Sequence, residues 1–197
     1  MEISTIFGLP AHPLIVHAPV VLIPLTALLA VVMVAWKRLT RPLSLVVGAL
    51  ALVNFGATVL ATGSGEALEE RVPDANEAMV HRHAELGETL RLLAFIMLIV
   101  VAAYLVRLWA PRLRIRPDSG LGRALAGRAV GGVLAALVLV MAVLTTTWVV
   151  RTGHTGAEAV WKGQNLAAPA GGGDDEGLRA LPRRDQPAAG SALRSSG

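Results

Sequence analysis

The chain has 197 residues, 54% of them apolar and only 16% charged, with a net charge of +4. Soluble domains usually carry about 25% charge. Cysteine is absent, which excludes disulfides, thiolate metal sites, covalent c-type haem attachment and Rieske clusters. The basic residues sit in short clusters between long uncharged stretches, a membrane-topology pattern rather than a nucleic-acid footprint.

Four uncharged stretches follow one another: residues 19–36, 42–65, 92–106 and 129–150. About 20 helical residues are needed to cross some 30 Å of hydrocarbon. Extending each stretch along its helical pattern predicts helices over about residues 12–36, 42–64, 79–107 and 128–151. The fold class is therefore an all-α, up-down-up-down, four-helix transmembrane bundle spanning residues 8–162. Residues 163–197 are rich in Gly, Ala, Pro, Ser and charge, and are expected to be a disordered tail. The N-terminus lacks a basic region before its long apolar stretch, so it reads as a retained helix rather than a cleaved signal.

Charge sets the orientation. The first loop carries Lys37, Arg38 and Arg41; the third carries Arg107, Arg112, Arg114, Arg116, Arg123 and Arg128 against Asp118 alone. The middle segment, residues 66–91, holds seven acids and three arginines. The positive-inside rule places both basic loops in the cytoplasm and both termini outside.

That topology gathers all five histidines at the extracytoplasmic end. His12 and His17 stand in HPLIVHAP, Glu66 in GSGE, His81 and His83 in HRHAELGE, and His154 in TGHTGAE, just after the fourth helix. Imidazole is a common metal ligand and the usual axial ligand of haem. Interfacial histidines that merely bond headgroups or loop backbone are the plain alternative. His17 and His83 are the first choice for an axial pair, because they lie nearest the membrane on separate helices. Residues two apart on a helix point about 200° apart, so His81 cannot share a centre with His83 and instead shares a stripe with Glu85 and Glu88. His12 and His17, five apart, diverge by roughly 140°.

Other features have structural readings. Pro19 and Pro24 each remove a backbone donor and are expected to bend the first helix beside His17. Gly127 and Gly131 form a small-xxx-small pair suited to close helix packing. Asn54, deep in the second helix, is expected to hydrogen-bond across the bundle. Trp36, Trp109, Trp148 and Trp161 fit an interfacial aromatic belt.

HPLIVHAP, GSGE, HRH with a following glycine, and TGHTG occur in that order, and as a set they resemble the bacterial membrane family catalogued as domain of unknown function 2231. The matching positions are His12, His17, Gly63, Gly65, Glu66, His81, His83, Gly153 and His154. The resemblance implies a layout like small membrane cytochromes b and a redox setting. No redox domain is appended here, so an electron partner would be a separate protein.

The leading expectation is haem b bound through His17 and His83, with His12 and His154 as a second set or as supporting partners. The alternative is a copper, zinc or iron ion held among His17, His81, His83, His154 and Glu66. A third reading is a cofactor-free accessory subunit of a larger membrane complex. No serine–histidine–acid pattern, phosphate loop or HExxH motif points to catalysis.

Overall fold

The structure is a computed structural model that describes residues 5–6, 9–69 and 77–161. The expected tail over 163–197 lies outside the described residues. A two-residue antiparallel pair, β1 (Thr5–Ile6) with β2 (Leu9–Pro10), precedes the helices. Then come α1 (Ala11–Ile15), α2 (His17–Ala35), α3 (Thr40–Glu69), α4 (Glu77–Trp109), α5 (Gly120–Ala126) and α6 (Arg128–Trp161).

Four spans are long and apolar enough to cross a membrane: Ala11–Ala35, Thr40–Ala67, Ala78–Trp109 and Arg128–Glu158. The first is α1 followed by α2. The helix is interrupted at Val16, next to the carbonyl of Ile15, which has lost its natural donor because Pro19 carries no N–H. By contrast, α2 runs through Pro24 without interruption. At the other end Trp36 turns to extended backbone, and the Thr40 hydroxyl donates to the Met33 carbonyl at 2.9 Å. That short turn forces α2 and α3 to run antiparallel.

Around the bundle α2 packs on α3 and α6, and α4 packs on the same two helices, so the ring order is α2–α3–α4–α6. The interior is built largely from small and flexible side chains: Ala27, Ala30, Met33, Val47, Ala51, Met97, Val101, Val138, Met141 and Ala142. Lipid is as apolar as leucine, so helices gain little by hiding large residues from it and associate through close packing instead. The large residues accordingly point outward: Leu28, Leu52, Val21 and Val143 are each 60% exposed or more. The chain is an integral membrane protein.

Asn54 is buried and crosses the bundle as expected. Its amide donates to Thr26 Oγ1 at 2.8 Å and to the Leu22 carbonyl at 3.3 Å. Thr26 in turn donates to the Leu22 carbonyl at 2.7 Å, so its oxygen is free to accept from Asn54. At the basic end the Trp109 indole donates to Ser44 at 3.1 Å.

Two expectations need correction. Gly127 and Gly131 do not form a helix-packing pair. Gly127 caps α5, and a Cβ on Gly131 would lie 2.4 Å from the Arg107 guanidinium, which donates to the Gly127 carbonyl at 3.4 Å. Gly131 makes room for an arginine, not for a backbone. Trp148 also departs from a purely interfacial role, because it packs against the buried cluster of Ile23, Leu90 and Val149.

Thr26→Val removes the shorter of the two Asn54 amide bonds and should lower stability in detergent by about 0.5–1.5 kcal/mol. Thr147, exposed on α6, serves as control: Thr147→Val should leave the unfolding midpoint in a denaturing-detergent titration unchanged.

Candidate functional site

The helices that carry the histidines run further than their apolar stretches. On α4, Arg91 and Trp109 are 18 residues apart, roughly 27 Å of helix and close to the hydrocarbon thickness. His83 stands eight residues before Arg91, so it projects about 12 Å beyond that boundary. Similarly, α6 continues past the expected end near 151 to Trp161, and TGHTGAE is helical. His154 is thus on the helix rather than after it. Glycines 153 and 156 are poor helix formers, but tertiary packing overrides them. Thr152 donates to the Trp148 carbonyl at 2.9 Å and lies 3.4 Å from the Leu86 carbonyl of α4. On α3 the GSGE segment is likewise helical, through Glu69.

These extensions bring two histidines together. The rings of His12 and His83 lie 6.0 Å apart between centroids, with planes at 85°. Both are half-buried. His12 Nδ1 is 2.9 Å from the Ala61 carbonyl and 3.2 Å from Ser64 Oγ. The carbonyl can only accept, so His12 Nδ1 carries the proton and donates. Ser64 donates to that same carbonyl at 3.0 Å.

His83 Nδ1 is 3.2 Å from Thr155 Oγ1. The Thr155 hydroxyl spends its proton on the Thr152 carbonyl at 3.0 Å, so it accepts from His83. Nδ1 is therefore the protonated nitrogen of His83 too. In neutral imidazole the other nitrogen then bears the lone pair. Both rings present Nε2 as the available donor atom, with Nδ1 anchored to protein oxygen. This is the arrangement by which histidine ligands are held in a fixed tautomer and orientation.

Glycines make the space. A Cβ on Gly65 would approach His12 Cε1 to 3.1 Å, and one on Gly156 would approach His83 Cε1 to 2.8 Å. Each imidazole lies directly against a neighbouring helix at a point where that helix has no side chain. Gly153, by contrast, has nothing within 4 Å of its Cβ position.

The remaining candidates lie elsewhere at this end. His17 is exposed, with Nδ1 bonded to the Pro13 carbonyl one turn earlier. Among the described residues the ring that meets His83 is His12, whereas His17, expected to pair with His83, stands apart from it. The reason is depth: proximity to the membrane selected His17, whereas the contact forms further out. His81 is exposed and pairs with Glu85 at 3.4 Å, and His154 is exposed and pairs with Glu158 at 3.5 Å. Glu66 is exposed. The wider set of His17, His81, His83, His154 and Glu66 does not converge, because among the described residues no three His, Asp or Glu side chains gather to hold a metal ion.

Sequence reasoning missed Ser64, Thr155 and Gly156 as members of the site. Their signal was present in the small-residue runs GSG and TGHTG, but it becomes readable only once both runs are helical and facing histidines.

Gly156→Ala should displace His83 and destabilise the protein by about 1–3 kcal/mol, the usual cost of overpacking. Gly153→Ala should be neutral or stabilising by up to about 1 kcal/mol, since alanine favours the helix. Thermal unfolding of both variants in detergent checks the contrast.

No curated protein and no solved structure matches this chain. The family model described as predicted membrane protein DUF2231 matches residues 8–167, with the bundle and both histidines of the pair inside it, and the chain belongs to that family.

Proposed function

We propose that this protein binds haem b between His12 and His83 and carries electrons at the extracytoplasmic face of a bacterial cell membrane. The observation that carries this reading is the meeting of two imidazoles from separate spans, each bonded to protein oxygen through Nδ1. Ring centroids 6.0 Å apart, on two separate spans, place both imidazoles within reach of one bound group.

The donor count favours haem over a bare ion. A structural zinc takes about four protein ligands and a catalytic one about three. Two neighbouring histidines without a third acidic or imidazole partner among the described residues would suit a cofactor that brings most of its metal's ligands with it. Bound there, haem would supply one-electron chemistry. The chain's own residues do the rest: Ala61, Ser64 and Thr155 orient the rings, while Gly65 and Gly156 let them sit against the helices. The charge of the loops turns this end away from the cytoplasm. The pair lies beyond the hydrocarbon boundary, where a separate soluble redox protein can approach.

Protein purified in mild detergent from haem-replete cells should show sharp reduced α and Soret bands after dithionite. His12→Ala and His83→Ala should each abolish them, and His17→Ala should leave them in place. Loss in His17→Ala with retention in His12→Ala would overturn the pairing. A colourless protein sinks the haem reading. Stoichiometric copper, zinc or iron in it would then point to a bare ion, and none of them to an accessory subunit.

A further inference from the structure

Below the histidines, a groove of about 580 Å³ opens on the outer face of the seam between α3 and α4. Its volume falls in the range of roughly 300–1,000 Å³ typical of small-ligand sites. Phe55 and Val59 of α3 and Leu92 and Phe95 of α4 form its apolar part. The two phenylalanine rings are 5.3 Å apart and tilted by 49°. Glu88 and Arg91 line the same groove, one helical turn and more toward the histidine end. The groove is therefore graded along the membrane normal, with aromatic and aliphatic walls inside the hydrocarbon and a charged pair at its boundary.

The charged pair is what defines an occupant. Arg91 donates to Glu88 at 3.5 Å, a long contact between groups 39% and 60% exposed. A second nitrogen of Arg91 reaches Thr62 Oγ1 across the seam at 3.4 Å, which ties the guanidinium to α3. Arginine has five N–H donors, and these two contacts leave most of them unused. The carboxylate similarly keeps most of its lone pairs. A cation and an anion side by side, above an apolar slot, complement a head group that itself carries an anion and a cation above an acyl chain. A purely anionic lipid would meet repulsion from Glu88, and a neutral amphiphile would add no charged partner to the remaining donors of Arg91 and lone pairs of Glu88.

We infer that this groove seats a zwitterionic, primary-amine phospholipid of the phosphatidylethanolamine type. Its phosphate would lie on Arg91, its ammonium on Glu88, and one acyl chain along Phe55, Val59, Leu92 and Phe95. An ordinary i,i+3 ion pair on a solvated helix face is the competing account of Glu88 and Arg91.

The test reads lipid, not colour, so it stands or falls separately from the haem reading. The full-length protein is reconstituted in nanodiscs of mixed phosphatidylethanolamine, phosphatidylglycerol and phosphatidylcholine, then released into mild detergent for native mass spectrometry of the retained lipid. Wild-type protein should retain phosphatidylethanolamine several-fold above its bulk share. Retention should fall to the bulk share in Arg91→Gln, and Glu88→Gln should shift the preference toward phosphatidylglycerol. A second measurement needs no variant: stepwise N-methylation of the head group should weaken retention by wild-type protein as N–H donors to Glu88 are lost. Retained lipid that mirrors the bulk mixture, indifference to methylation, or a selectivity that survives both substitutions in folded protein would overturn the proposal.

Discussion

The helices of this bundle can approach one another only where their side chains are small, and the remainder of the structure depends on that constraint. Lipid offers no reward for hiding leucine, so association rests on close contact and on the few hydrogen bonds that cross between helices. Ala27, Ala30, Ala51 and Ala142 supply the contact in the interior. Asn54 and Thr26 supply a cross-helix bond within it. The same device reappears at both ends with another purpose: Gly131 admits the Arg107 guanidinium, and Gly65 and Gly156 admit the rings of His12 and His83. A small side chain serves helix packing in the middle of the membrane, and a missing one serves side-chain placement at its edges.

The histidine pair owes its chemistry to acceptors as much as to proximity. Two neutral imidazoles near each other can adopt any of four tautomer combinations. A backbone carbonyl on one side and a hydroxyl already committed to another carbonyl on the other leave one combination satisfied. Both lone pairs then reside on Nε2, the nitrogen distal to the backbone. The neighbouring His81 and His154 lack this treatment, being exposed and paired with carboxylates on their own helices. Five histidines share one end of the bundle, but among the described residues only His12 and His83 are bonded to a different membrane span and meet ring to ring.

Much of the architecture was legible in the residues. Uncharged stretches separated by arginine-rich loops define four spans, because hydrocarbon excludes both charge and unpaired backbone. The cross-bundle role of Asn54 was legible too, since an amide at that depth must find a partner inside the protein. The helix ends were less so. The extension of α4 back to about residue 79 was legible from its helical pattern, but the glycine-bearing ends of α3 and α6 look like loop when judged by hydropathy, and the end of α6 packs on α4 outside the hydrocarbon through contacts such as Thr152 with Leu86. The small-residue spacing at Gly127 and Gly131 misled for a related reason: spacing reports the absence of a side chain, not what fills the space.

The sequence by itself determined that the chain is a four-span membrane bundle with its histidines at one end, because those properties follow from where charge and apolar length fall along a linear chain. Only the tertiary structure decided which histidines meet. That choice depends on how far each helix projects past the membrane, on which helix carries the acceptor for each Nδ1, and on where a glycine leaves room for a ring. All three are relations between segments distant in the chain, such as His12 with Ala61 and His83 with Thr155, and no local pattern encodes them.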